Sequence, residues 1–193
     1  ISGRLLGEPL VRAEINLHGS FLATGDGHGT KKALVAGLLG MQTDDIRIPQ
    51  ALEIAEERGI VVSFGQAILR AHPNTAQLIL HGRSGQRLEI IGQSLGGSRI
   101  NIAQLDGIET NFSGESSTLV VYNEDRPGHV SEVTTMLSNQ NINIASMRLY
   151  RSSRGGEAVM VVECDQEVPE SGIDWLRGFD GIRKVTYLGM TGE

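Results

Sequence analysis

From Ser117 onward, apolar and polar positions alternate in blocks that predict six elements. Leu119-Val120-Val121-Tyr122 is an apolar run of strand length, and it enters a polar turn ending in Pro127-Gly128. Val130, Val133 and Leu137 then recur at i, i+3 and i+7. That spacing predicts an amphipathic helix with Ser131, Glu132 and Thr135 on its outer face. Asn141-Ile142-Asn143-Ile144 opens a second strand over 142–150, and the turn Arg151–Gly156 separates it from 157–163. The run Glu157 to Glu163 is apolar between charged ends, as a central strand should be. Pro169 falls where the first turn of a helix tolerates it, with Ile173, Leu176 and Phe179 as the buried side. Gly181-Ile182 leads into a last strand over about 182–188. The order βαββαβ is the ferredoxin-like split βαβ.

Residues 1–113 read as a separate α+β domain, joined by the short polar linker 114–116 to a second domain at 117–193. Strand 10–18 ends at His18-Gly19, and a loop of glycines and histidines runs to Thr30. Helices are expected at about 30–39 and 49–58, the second with Pro49 at its start and Gly59 past its end. Strand-like runs follow at 60–64, 75–82, 86–95, 98–104 and 107–113. Helices gathered early and strands late predict an antiparallel sheet. The sequence opens abruptly at Ile1, as if an earlier segment preceded it.

Composition removes several classes of function. A net charge of −6 and a pI near 5.4, with no basic run or aromatic platform, argue against nucleic acid. No apolar stretch approaches 18 residues and no signal-like start is present, so neither a membrane span nor export is expected. One cysteine, Cys164, excludes an internal disulfide framework and points to a reducing, cytoplasmic setting. At the end of a central strand it is expected to be a buried, inert thiol. A single thiolate cannot hold an iron–sulfur cluster.

Two stretches carry candidate chemistry. In the turn before the helix, Gly128 lets a ligand or a neighbouring backbone approach closely. The first-turn N–H groups suit a carboxylate. Asn123, Asp125 and Asn143 offer groups for an ammonium or hydroxyl. The plainer reading of the turn is ordinary Pro-Gly punctuation. The second stretch is HGSFLATGDGHGT, residues 18–30. Its glycines at 25, 27 and 29 do not have dinucleotide-fingerprint spacing. They suit an anion nest at a helix entry, a metal pair of His18 and His28 without further ligands of the right spacing, or simple packing against the sheet. Ser20, Thr24, Gly27 and Thr30 from this loop join His18, His28, His72, Asn74, Gly96 and Gly97 as a candidate site for a zwitterionic metabolite.

Residues 117–189 resemble an ACT domain, the regulatory module that binds amino acids. The resemblance rests on the strand, the 123–128 turn, and the asparagine that opens the second strand. Together with Ile48-Pro49, His72-Pro73-Asn74-Thr75 and Ser94-Leu95-Gly96-Gly97-Ser98, the 18–30 loop resembles the β subunit of bacterial iron–sulfur L-serine dehydratase. There an allosteric-substrate-binding domain, also found in some phosphoglycerate dehydrogenases, precedes the ACT domain. That family normally begins with a further segment carrying a Gly-Pro-Ser-Ser-Ser-His-Thr motif, which is not in this sequence.

The resemblance implies a division of labour. A partner α subunit carries the cysteines and a 4Fe–4S cluster whose open iron acts as a Lewis acid on the serine hydroxyl. Loss of the α-proton and of water gives aminoacrylate, which becomes pyruvate and ammonia without pyridoxal phosphate. This chain would be a non-catalytic regulatory subunit that binds L-serine or a related amino acid at Asn123, Asp125, Gly128, His129 and Asn143. Asp125 stands where a neutral amide is usual, and His129 where an apolar residue is usual. A homodimer through 117–189 is expected, with the sites at its seam, and the first-domain site is expected to face the partner. A free-standing amino-acid-binding regulator and the regulatory region of a phosphoglycerate dehydrogenase are the other readings.

Overall fold

A computed structural model describes residues 1–189 apart from Asp26, His28 and Ser98. The chain divides into two compact units, Ile1–Asp106 and Gly107–Glu193. In the first, α1 (Ser2–Leu6), β1 (Leu10–Gly19), α2 (Ser20–Thr24) and α3 (Thr30–Leu38) come in turn. A 3-10 turn at Ile48–Gln50, started by Pro49, leads into α4 (Ala51–Glu57). The strands β2 (Val61–Gln66), β3 (Asn74–Gly82), β4 (Arg87–Gly96) and β5 (Arg99–Leu105) complete the unit.

The sheet of this unit runs β2-β1-β3-β4-β5. β1, β3, β4 and β5 pair antiparallel, as expected from the run of strands late in the unit. β2 departs from that expectation and pairs parallel with β1. The chain reaches β2 from β1 by way of α3 and α4, and a helical crossover returns a strand in the same direction where a hairpin would reverse it. The helices α1 and α2 were not expected. At five residues each they are too short to show a periodic stripe.

Alternation along β1 puts Ala13, Ile15 and Leu17 on the core face, between the half-exposed Glu14 and Asn16. Leu80, Leu88, Ile90 and Leu105 continue that face, and Leu5 and Leu6 of α1 are also fully buried. Each such leucine contributes about 1.5–3 kcal/mol by leaving water.

The second unit holds β6 (Ile108–Phe112), β7 (Ser117–Glu124), α5 (His129–Asn139), β8 (Ile144–Arg151), β9 (Glu157–Cys164), α6 (Glu170–Arg177) and β10 (Ile182–Leu188). Its sheet runs β10-β7-β9-β8 with every neighbouring pair antiparallel, the ferredoxin-like arrangement the βαββαβ order predicts. Leu119, Val121, Met160 and Val162 from the central strands pack with Val133, Leu137, Ile173 and Leu176 from the helices. Beside β8, the Asn111 carbonyl of β6 accepts from Arg148 Nη1 at 2.7 Å and from Tyr150 Oη at 3.1 Å.

One helix face differs from expectation. Val130 is 43% exposed, and the buried stripe of α5 is His129, Val133, Met136 and Leu137. The apolar spacing fitted Val130 equally well, but an imidazole with two partners can be buried and leave a valine outside. Cys164 is buried, as expected. Among the described residues no helix is long and apolar enough to cross a membrane.

Candidate functional site

β7 delivers the chain into the 125–128 turn at one end of the second sheet, and α5 starts immediately after it. Asn123 is 3% exposed there. Its Nδ2 donates to the Glu124 carbonyl at 2.7 Å, while its Oδ1 is buried without a hydrogen-bond partner. An orphaned buried acceptor costs about 1–3 kcal/mol, so it favours any donor that can meet it. Gly128 enters α5 at φ +113°, exposed, and no side chain caps the helix. The start of α5 therefore keeps its partial positive charge open to an anionic group.

Asp125 is committed within the fold. Its Oδ2 accepts from the Gly155 N–H at 2.9 Å and from Arg151 Nη1 at 3.1 Å, and its own N–H donates to the Gly156 carbonyl at 2.8 Å. The Gly155 N–H, with Arg151 next in weight, holds the carboxyl below the usual aspartate range. Asp125 thus pins the β8–β9 turn against the β7 turn.

His129 is 2% exposed and held from both sides. Arg126 Nε donates to Nε2 at 3.1 Å, and Nδ1 lies 2.7 Å from Glu132 Oε2. The pattern fits a neutral ring with its proton on Nδ1, donating to the carboxylate. Arg126 also donates to the carbonyl and carboxylate of Asp180. Gly181, at φ +87°, completes this cluster: a Cβ there would lie 2.6 Å from Arg126 Nη2 and 2.7 Å from His129 Nε2. Arg126, Glu132 and Gly181 were missed from sequence. The i, i+3 spacing of Arg126, His129 and Glu132 was a signal for the first two. Gly181 had none, because the side chains it meets, Arg126 and His129, stand more than fifty residues earlier in the sequence.

Asn143 sits at the other end of the sheet. Its N–H donates to Gln166 Oε1 and its Nδ2 to Asp165 Oδ2, both at 2.6 Å. Asn123 pairs with Ala158 on β9, whereas Ile144, next to Asn143, pairs with Cys164. Those β9 positions lie about 20 Å apart at the usual strand rise. One copy of the unit brings together Asn123, Asp125, Gly128 and His129, and it leaves Asn143 remote.

In the first unit, register places several candidates at one end of the sheet, since His18 pairs with Thr75 and Thr75 with Gln93. His18 Nδ1 lies 3.2 Å from the Ala67 carbonyl and 3.3 Å from the Leu69 N–H, with one of these bonds made in each tautomer. His72 Nδ1 accepts from the Asn74 N–H at 3.2 Å. The two histidines therefore have separate local partners. Gly19, at φ +57°, lets the Ser20 N–H reach the Pro73 carbonyl at 2.8 Å, where a Cβ would collide with Pro73. Thr24 Oγ1 donates to the Ser20 carbonyl, and the Thr30 N–H to that of Gly25. Gly27 is exposed, and Gly96 and Gly97 form the β4–β5 turn at φ +81° and +60°. His28 lies outside the described residues.

A cavity of about 260 Å³ in this unit was not foreseen. Its walls include Phe21, Leu34, Leu78 and Ile102, with Gln93 and Asn101 as polar members, and they do not include His18, His72 or Asn74. Its lining is gathered from α1, α2, α3, β3, β4 and β5, which no local motif marks.

Comparison with known proteins adds the following. The family described as "Serine dehydratase beta chain" matches residues 4–105, and the ACT domain family matches residues 117–177. The chain is 35% identical to the "Probable L-serine dehydratase, beta chain" of Bacillus subtilis, over 97% of this chain and 86% of that one. It is 34% identical to the "L-serine dehydratase, beta chain" of Peptoniphilus asaccharolyticus, over 92% and 81%. A "D-3-phosphoglycerate dehydrogenase" of Methanocaldococcus jannaschii is 29% identical over 83% of this chain, which spans only 30% of that enzyme.

Proposed function

We propose, from the premise that this chain belongs to the serine dehydratase beta chain family, that it is the amino-acid-sensing beta chain of an L-serine dehydratase. It is a subunit of a lyase complex and leaves the chemistry to a partner chain. The observation that carries this reading is 35% identity across 97% of the sequence to a protein of that name. The regulatory region of a phosphoglycerate dehydrogenase fits less well, because those relatives extend far beyond this chain. We divide the chain by role into a substrate-sensing domain at 1–113, a linker at 114–116 and an ACT domain at 117–193.

The partner α subunit would carry the 4Fe–4S cluster. The residues of this chain do not fit one: Cys164 is its single thiol, and burial pushes that thiol up to about 11. A cluster requires several thiolates. With a reduced thiol and no disulfide framework, the complex belongs in the cytoplasm.

The ligand is L-serine or a close analogue, held at the start of α5 by Asn123 and the Gly128 turn, with Asp125 and His129 keeping the turn in shape. Because Asn143 lies about 20 Å away in the same copy, it serves the site of a second copy across a homodimer seam. β8 is available for this as a sheet edge. The His18–Thr30 loop, with His72, Asn74 and the Gly96-Gly97 turn, is the second ligand or coupling surface, facing the partner.

Reconstitution tests the reading. The chain purified free of other proteins should form no pyruvate from L-serine, and adding the partner subunit should produce it. Pyruvate formation by this chain alone would overturn the assignment of catalysis to a partner.

A further inference from the structure

Among the described residues β2 ends the first sheet, with β1 as its one neighbour in the strand order and its other edge open. Natural edge strands carry lysine, proline or a bulge to block strange pairing. Residues 60–69, Ile-Val-Val-Ser-Phe-Gly-Gln-Ala-Ile-Leu, carry no charge and no proline. Val61 is 60% exposed and Ile68 is 90% exposed. An edge with this composition needs a cover.

Backbone direction narrows what can cover it. The Ala67 N–H donates to the Leu17 carbonyl on β1. In a strand, successive residues point their N–H and C=O groups to opposite sides. Residues 61, 63 and 65 therefore face β1, and the backbone groups of 62, 64 and 66 face the open edge. An antiparallel partner must supply hydrogen-bonded pairs at those even positions.

A second copy of β2 meets this requirement about a two-fold axis at Ser63. Val62 then pairs with Phe64 of the other copy, each exchanging both backbone bonds, and this happens twice. Ser63 faces its own copy in the closer, non-hydrogen-bonded position. Val61 faces Gly65, a large side chain against none. A Cβ at Gly65 would run into Asn16 Oδ1, so that side chain would have to shift to admit one. Val62 and Phe64 pair with Ala13 and Ile15 on the core face, so joining two copies would extend the buried face across the axis. No like charges meet within the paired strands. We propose that the first unit self-associates through antiparallel β2–β2 pairing centred on Ser63. The contact is separate from the seam proposed for the second unit and does not depend on what the chain binds.

Cross-linking of the full chain reads this register directly. Ser63 is exposed, so replacing it leaves the core untouched. Facing residues in such a pair bring their Cα atoms to about 4.5 Å, within disulfide range, whereas Val61 and its copy would be roughly 13 Å apart. Under mild oxidation Ser63→Cys should become a covalent dimer, and Val61→Cys should not. Ser63→Lys should halve the molar mass seen by sedimentation, while Ser63→Thr keeps it. Equal cross-linking of both cysteine variants, or none, would overturn the pairing. So would an unchanged mass for Ser63→Lys, including the case in which that variant loses only the α partner and the edge is covered by a different subunit.

Discussion

Replacing Gly181 by alanine tests whether the Arg126–His129–Glu132 cluster is packed as tightly as its geometry states. Gly181 has φ +87°, which costs an L-residue about 1–2 kcal/mol. The new Cβ would sit 2.6 Å from Arg126 Nη2 and 2.7 Å from His129 Nε2, closer than real contacts allow. His129 is 2% exposed and cannot swing into water without opening the helix start. Overpacking of such a site costs about 1–3 kcal/mol, so Gly181→Ala should lose roughly 2–5 kcal/mol. Gly155→Ala is the matched control, with φ +74° and nothing within 4 Å of its Cβ. It should lose only the backbone strain, about 1–2 kcal/mol. Trp175 is the one tryptophan and lies in the second unit, so its fluorescence in urea follows that unit by itself. If the two variants unfold within about 0.5 kcal/mol of each other, the cluster is looser than described and His129 does not position the turn.

Other consequences follow from single groups. The Asp125 carboxyl is held below its usual range in the folded chain, so it adds stability above about pH 4 and loses it as pH falls through the lowered value. The second unit should therefore weaken more steeply in acid than Asp125→Asn, and identical acid profiles would refute the pinning role. Cys164, with its thiol pushed up to about 11, should resist alkylation at pH 8 in the folded chain and react once urea exposes it. Rapid labelling of the native protein would contradict its burial. His72→Gln should cost at most about 1 kcal/mol and change the serine dependence of the assembled enzyme. A lower melting temperature with an unchanged titration would reduce the 18–30 loop to architecture.

The second unit was legible from Ser117 onward because the helices and strands there are long enough to declare a period. Pro127-Gly128 and Pro169 mark the two helix entries, β7 reads as an apolar strand and β9 as a central one. What misled there was a tie: Val130 and His129 are adjacent on α5, and only the partners supplied by Arg126 and Glu132 decide which turns inward. The first unit was harder. Strand spans came through, but the parallel pairing of β2 depends on a crossover that composition does not announce. The short α2 hides inside a loop rich in glycine. Among the site residues, Asn123 and Gly128 carried a local signature. The commitment of Asp125 to Arg151 and Gly155 was invisible, because those partners stand 26 and 30 residues away.

Calorimetry of the full chain with L-serine tests the sensing role most directly. Saturable binding is predicted, weakened at least about tenfold by Asn123→Ala and by Asn143→Ala. That corresponds to about 1.4 kcal/mol, the scale of one hydrogen bond to a charged ligand group. The two variants mixed in equal amounts should recover a fraction of intact sites, since each site takes Asn123 from one copy and Asn143 from the other. No saturable heat with L-serine, or full affinity in both variants, would contradict an amino-acid site at the start of α5.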